Sequence, residues 1–335
     1  MKDSRWKELI RETETLYKRC ELCPWECRIN RFQKEGKCLL DYRSRIFYKG
    51  ILYGEEIEIS PCYGVFFAGC NLKCIFCECG QYQVDPRGVK RANITQLISS
   101  IKSLKGSYRT LQFIGGEPSL HLLTLIKILR GLGDTYELPV VLNSNMYFSV
   151  VARPIMAEIT HTFLADFHFG NDVCAHNLSG ARNYCATVFN NIAWALERKK
   201  RVLVRHLVMP GHLECCMKPV ITYFKEMKGA HFSVLFNYYP CFEAAKDVRI
   251  NKSLSRAEKE AARGLLEKHG IRQESESYTE PCNYNFSAGN KQEIIIDNEG
   301  NVIIQYITGD MLKLASKLNP ENIELKRRKK VLLGE

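Results

Sequence analysis

Residues 63–77 read YGVFFAGCNLKCIFC, an apolar run rich in aromatic side chains that stops at a glycine and opens onto three cysteines spaced CxxxCxxC. The run has the length and composition of a buried strand. Cys70, Cys74 and Cys77 therefore stand just past a strand's carboxyl end. Five further runs of the same kind follow: TLQFIGG at 110–116, PVVLNSN at 139–145, TFLADFHF at 162–169, RVLVRHLV at 201–208 and FSVLFNYY at 232–239. Between them, apolar residues recur at helical spacing over 94–104, 120–132, 150–158, 184–199 and 214–228,. Strands alternating with helices predict an α/β fold, a partial (β/α)6 parallel barrel. In such a sheet the functional residues gather at the carboxyl ends of the strands. The three cysteines, GGEP at 115–118, NSN at 143–145, DFH at 166–168 and RHLVMPG at 205–211 all fall there.

Upstream of this unit, a helix is expected over 4–18, and the cysteine-rich stretch that follows it to Cys38 has neither helical nor strand periodicity,. Downstream, a charged helix over 255–268 precedes IIIDNEGNVII at 294–304, a hairpin pattern with an Asn-Glu-Gly turn,. The expected organisation is an N-terminal helix and cysteine-rich appendage over 1–60, the barrel over 61–240 and a C-terminal extension over 241–335.

A chain of 335 residues that is 45% apolar can bury one large core,. No apolar run reaches the ~18 residues needed to cross a bilayer. The start, MKDSRWKELIRETE, is charged rather than signal-like, so a cytoplasmic protein without a membrane partner is expected,. Fifteen cysteines in such a chain point to metal or redox roles, because the cytosol keeps thiols reduced,. The formal charge of +11 lies partly in short runs at 198–201 and 326–330, which read as solvated faces,. It suits an acidic protein partner, and nucleic acid is not expected, since no nucleic-acid motif accompanies it.

Iron–sulfur cubanes are normally held by four thiolates, so the three of Cys70, Cys74 and Cys77 would leave one iron of a 4Fe-4S cluster open to an outside ligand,. The bland readings of the same spacing are a helical stripe of buried thiols, or a zinc site that would need a fourth ligand nearby. A second set, Cys20, Cys23, Cys27 and Cys38, follows CxxCx3Cx10C. Four thiolates there suit an auxiliary iron–sulfur cluster or zinc, and packing as a metal-free lid is the third reading.

The CxxxCxxC pattern with an aromatic, Phe76, before its last cysteine resembles the radical S-adenosylmethionine (SAM) superfamily. Within it, CELCPWECRINR, GKC, YGEE, VFFAGCNLKCIFC, ADFH, VRHLVMPG and NYYP, in that order from Cys20 to about Pro240, resemble homologues of pyruvate formate-lyase activating enzyme that carry an N-terminal CxLCPxxC element. The resemblance implies that SAM fills the open iron through its amino and carboxylate groups. It also implies that Gly115, Gly116 and Glu117 receive the SAM ammonium, that Asn143, Ser144 and Asn145 face the ribose, and that Phe76 packs near the adenine. Asp166 and His168 match an Asp-Leu/Phe-Lys triplet that touches SAM, with histidine in the lysine's place. Arg205, a planar two-point donor, suits the SAM carboxylate,. Glu78 and Cys79 replace the family's Gln-Asn after the last cluster cysteine.

On this resemblance the expected activity is reductive cleavage of SAM to a 5'-deoxyadenosyl radical that abstracts hydrogen from a protein or peptide, with an electron donor such as a flavodoxin or ferredoxin. A radical step on a small molecule in cofactor or natural-product synthesis is the alternative. A non-catalytic iron–sulfur sensor is the third reading.

Overall fold

The computed structural model describes residues 1–53, 56 and 58–271, together with the two short strands at 295–296 and 302–303. Its centre is a seven-stranded sheet of β1 (Ile46–Leu52), β2 (Cys62–Phe67), β3 (Thr110–Gly115), β4 (Val140–Ser144), β5 (Thr162–Asp166), β6 (Arg201–Leu207) and β7 (His231–Leu235). The strands lie in sequence order across the sheet, which is open rather than closed. From β2 to β7 every pairing is parallel, and β1 is added antiparallel at the edge of β2. The expected partial barrel of six βα strands is thus present, with one strand more. The pattern of β1, IFYKGIL, hides it because Lys49 and Gly50 interrupt the apolar run and only part of the strand is buried.

Helices cover the parallel strands, which explains why β2 and β4 are buried along their whole length,. In order they are α1 (Asp3–Lys18), α2 (Gly80–Val84), α3 (Ile94–Ser103), α4 (Leu122–Leu132), α5 (Arg153–Ile159), α6 (Asp172–Ser179), α7 (Tyr184–Glu197), α8 (Lys218–Glu226) and α9 (Arg256–Lys268). Their limits follow local chemistry. Asn93 caps α3 by accepting from the Gln96 amide, and Ser255 and Glu258 close a reciprocal capping box on α9,. Gly180, at φ 75°, ends α6 in the left-handed conformation,. The hairpin expected at 294–304 is present as β8 (Ile295–Ile296) paired antiparallel with β9 (Val302–Ile303). Its turn, like Gly54 and Glu55 of YGEE and the basic run at 326–330, lies outside the described residues.

The cysteine-rich stretch is pinned to the rest of the protein by polar contacts. Arg31 is buried over the Tyr17 ring and donates to the carbonyls of Leu120 and Asp41. Trp25 donates from Nε1 to the Asn71 carbonyl at 2.7 Å, and the Ser149 amide donates to the Leu22 carbonyl. These contacts lay the stretch beside the loops that follow β2 and β4. Among the described residues, no helix is long and apolar enough to cross a membrane.

Candidate active site

Strand β2 runs directly into the cysteine loop, and the turn after β3 holds that loop in place. The Gly116 amide donates to the Phe67 carbonyl and the Glu117 amide to the Gly69 carbonyl. A Cβ on Gly116 would lie 2.0 Å from the Gly69 oxygen, and one on Gly115, at φ 111°, 2.5 Å from the Phe67 backbone. The two glycines are therefore required by the backbone itself, as close approach demands.

Beyond this turn the strand ends surround a cavity of about 250 Å³. Cys70, Cys74, Cys77 and Phe76 line one side, and Gly115, Gly116, Asn143, Asn145, Asp166, His168 and Arg205 line the rest. Glu78 and Cys79 also reach it. Burial raises all three cysteine thiols above their ordinary range. Glu117 raises Cys70 further, Asp166 raises Cys74, and the neighbouring thiols raise Cys77. The thiolate is the ligating form, so a bound cation draws these protons off. Donors already face the sulfurs: the Leu72 amide at 3.4 Å and Asn145 Nδ2 at 3.5 Å from Cys70, and Gln83 Nε2 on Cys77. Such N–H···S bonds stabilise thiolate charge. A three-thiolate set therefore fits an iron–sulfur cluster with an open position.

The polar wall is mostly self-paired. Arg205 donates from Nε to Asp166 Oδ1 at 2.7 Å and from Nη2 to Asn143 Oδ1 at 2.9 Å, with Glu56 at 3.8 Å from Nη1. Asn143 Nδ2 is buried without a hydrogen-bond partner among the described residues, a donor on the cavity wall that a polar ligand would satisfy,. His168 accepts the Leu207 amide at Nδ1, 3.2 Å, so the proton of its neutral ring sits on Nε2, 3.8 Å from Asp166 Oδ1,. Burial lowers its pKa, Asp166 pulls it back up, and Arg205 lowers it again. His206 points to the other side of β6, buried, with Nδ1 donating to the Phe167 carbonyl.

Two residues of the expected set stand behind the wall rather than on it. Glu117 is fully buried, and its carboxylate accepts from the Ser119 amide, the Ser144 hydroxyl and the Asn145 amide, each at 2.9 Å. Ser144 is likewise buried against it. In this structure these two residues bond to each other and tie the turn after β3 to the end of β4. Burial raises the pKa of Glu117, and these hydrogen bonds oppose it. Asn71 and Gln83, which the sequence pattern does not single out, support the cysteine loop. Asn71 joins Asn145 to the Tyr147 carbonyl. Cys20, Cys23 and Cys38 are buried and Cys27 half-buried, and Cys27 and Cys38 both flank Gly36.

The sequence model described as the radical SAM superfamily matches residues 65–224, from β2 through most of α8. An uncharacterized protein of Methanocaldococcus jannaschii is 33% identical over 267 residues, which is 77% of each chain. Among solved structures, SuiB of Streptococcus suis with bound S-adenosylmethionine is similar with TM-score 0.46 and 16% identity; the match covers 62% of this chain and spans 48% of that one. A domain of pyruvate-formate lyase-activating enzyme from Bacteroides vulgatus is similar with TM-score 0.39 and 16% identity, over 48% of this chain and 95% of its own.

Proposed function

The chain belongs to the radical SAM superfamily, whose members are enzymes using SAM and an iron–sulfur cluster, and from this premise we propose that it cleaves SAM at a 4Fe-4S cluster held by Cys70, Cys74 and Cys77 and acts on a protein or peptide. The observation that carries the reading is the convergence of three thiols and the Arg205–Asp166–Asn143 cluster on one cavity at the strand ends. With both cofactors bound, the chemistry supplied is a 5'-deoxyadenosyl radical able to abstract hydrogen.

The chain's own part is to bind, orient and shield. Gly115 and Gly116 hold the cysteine loop against β3. Asn145 and Gln83 donate to the ligand sulfurs. Arg205, set by Asp166, offers the SAM carboxylate its guanidinium edge, and Asn143 Nδ2 offers the ribose a donor. Neutral His168 presents its Nε2 proton toward Asp166. Phe76, edge-on to His168 and Phe169, walls the apolar side for the adenine. Glu117 and Ser144 position Asn145 from behind.

The cavity at the strand ends measures about 250 Å³. The two cofactors would occupy it, leaving the substrate to approach at the mouth, where Tyr239 is 44% exposed. That supports a protein or peptide over a buried small molecule. The resemblance of CELCPWEC to the activating-enzyme homologues supports the same class. The charge of +11 suits an acidic flavodoxin or ferredoxin as electron donor in the cytoplasm,. The Cys20, Cys23, Cys27 and Cys38 set keeps three readings: an auxiliary iron–sulfur cluster, zinc, or a metal-free lid,.

The test is formation of 5'-deoxyadenosine by anaerobically reconstituted protein under strong reductant. Cys74→Ala is expected to reduce it to background, and cleavage at the parent rate in that variant would overturn the assignment. Transfer of deuterium into 5'-deoxyadenosine from labelled protein fractions, but not from labelled metabolites, is the expected substrate result.

A further inference from the structure

Away from the cavity lining, Cys174 on α6 meets His212, Cys215 and Cys216 of the loop after β6, with the four donor atoms all within 4.8 Å of one another. The separations are 3.7 Å from Cys174 Sγ to both His212 Nδ1 and Cys215 Sγ. Cys215 Sγ lies 3.3 Å from His212 Nδ1 and 3.9 Å from Cys216 Sγ, and Cys216 Sγ lies 3.7 Å from His212 Nδ1. A tetrahedron with Zn–S of about 2.3 Å and Zn–N of about 2.0 Å has edges of about 3.8 Å between sulfurs and about 3.5 Å between sulfur and nitrogen. The five separations bracket those values. They are too short for thiolates spread over the corners of a multinuclear cluster, and none is a bonded disulfide distance.

The backbone is shaped for this set. Leu213–Met217 forms a wide π-type turn in which the Met217 amide reaches back to the His212 carbonyl at 3.2 Å. That turn brings His212, Cys215 and Cys216 to one side, and such turns recur at functional sites. Gly170 lies so close that a Cβ there would stand 2.3 Å from the Cys216 oxygen. Asn171 fixes the opposite half. Its Oδ1 caps α6 through the Cys174 amide, and its Nδ2 donates to the Cys215 carbonyl at 2.6 Å and toward Cys174 Sγ at 3.2 Å. An outer residue that both orients a ligand and bonds its sulfur is the usual support of a metal site.

We propose that Cys174, His212, Cys215 and Cys216 bind one zinc ion, which clasps the loop after β5 to the loop after β6. Three thiolates and an imidazole in a closed tetrahedron form a structural zinc set, with no position left open for chemistry. Asp166 and His168 precede the first loop and Arg205 the second, so the ion would fix the rim that carries the SAM-facing residues. The inference rests on this cluster and not on the function proposed above.

Metal analysis of the anaerobically purified full chain tests it. The expected result is one zinc per chain, kept when Cys70, Cys74 and Cys77 are all replaced by alanine, kept in Cys23→Ser, and lost when Cys215 and Cys216 are both replaced by serine. Should that double variant fail to fold, transfer of zinc to a chromogenic chelator from His212→Ala is expected to be at least ~10-fold faster than from the parent, and from His212→Cys, which retains four donors, to stay near the parent rate. Zinc-free parent protein, zinc lost with the Cys23→Ser variant, transfer from His212→Ala at the parent rate, or a disulfide within the set would each overturn the site.

Discussion

Asp166 and Arg205 are register partners on the neighbouring parallel strands β5 and β6, and their side chains meet again above the sheet, Nε to Oδ1 at 2.7 Å and Nη2 to Oδ2 at 3.3 Å. Strand pairing thus sets the guanidinium before any ligand arrives. Arg205→Lys keeps the charge but loses the fork that bonds Asp166 and Asn143 together. SAM affinity, measured by equilibrium dialysis on cluster-loaded protein, is expected to fall at least ~10-fold, the loss of roughly 1.4 kcal/mol from one charge-assisted contact. The two side chains are only 15% and 19% exposed, so the lost fork should also cost about 1.5–3 kcal/mol of stability,. Unchanged affinity would remove Arg205 from the SAM contacts.

Gly116 leaves no room for a side chain. Its Cβ would meet the Gly69 carbonyl oxygen at 2.0 Å, and that oxygen already accepts the Glu117 amide. Gly116→Ala must push the cysteine loop away from β3. It is expected to lower stability by about 1–3 kcal/mol and to lower iron retention. The check is thermal unfolding together with iron content after desalting, with exposed Gly264→Ala as a control, since nothing lies within 4 Å of a Cβ there. Equal iron retention in the two variants would contradict the role given to the turn.

Much of this arrangement was legible in the sequence because it rests on short-range signals. Apolar runs ending in Gly-Cys, Gly-Gly-Glu, Asn-Ser-Asn and Asp-Phe-His marked both the strands and their functional ends. What escaped was set by tertiary contact. β1 is a strand because the edge of β2 is there to pair with, and no run of its own announces it. The resemblance puts Glu117 on the SAM ammonium, yet three neighbouring donors hold it inward. The cluster at Cys174 combines residues 38 or more positions apart, and only HLECC, with its H-x2-C-C spacing at 212–216, could have hinted at it.

Trp25 is the link from the cysteine-rich stretch to the cluster loop, through its bond to the Asn71 carbonyl. Asn71 in turn accepts from Asn145, which donates to Cys70. Trp25→Phe keeps the ring and removes the donor. The expected effect is a shift in the midpoint potential of the Cys70, Cys74 and Cys77 cluster with little change in stability, about 0.5–1.5 kcal/mol for one hydrogen bond. Redox titration followed by electron paramagnetic resonance reads it. A parallel Cys23→Ala variant separates the bond from any metal at the first four cysteines: about eight irons falling to about four would mark a second cubane there, and a constant four would leave only the catalytic one.

His121 and His206 give the fold an acid limit. Both are buried and held to about 3 by desolvation, with Arg31 pressing His121 the same way and the Phe167 carbonyl only partly opposing it at His206. Each ring is neutral in the folded protein, with His121 Nδ1 on Ser44 Oγ and His206 Nδ1 on the Phe167 carbonyl, whereas in the unfolded chain it protonates near ~6.5,. Below that value the unfolded state binds more protons, so stability is complete above ~6.5 and falls as pH drops toward the folded value. At pH ~5 each histidine should cost about 2 kcal/mol. Cluster and thiol sites share the acid sensitivity, so the reading is a difference. Between pH 7.5 and 5, urea unfolding of His206→Asn should lose about 2 kcal/mol less than the parent. Equal losses in the two proteins would show that His206 is not held neutral by its burial.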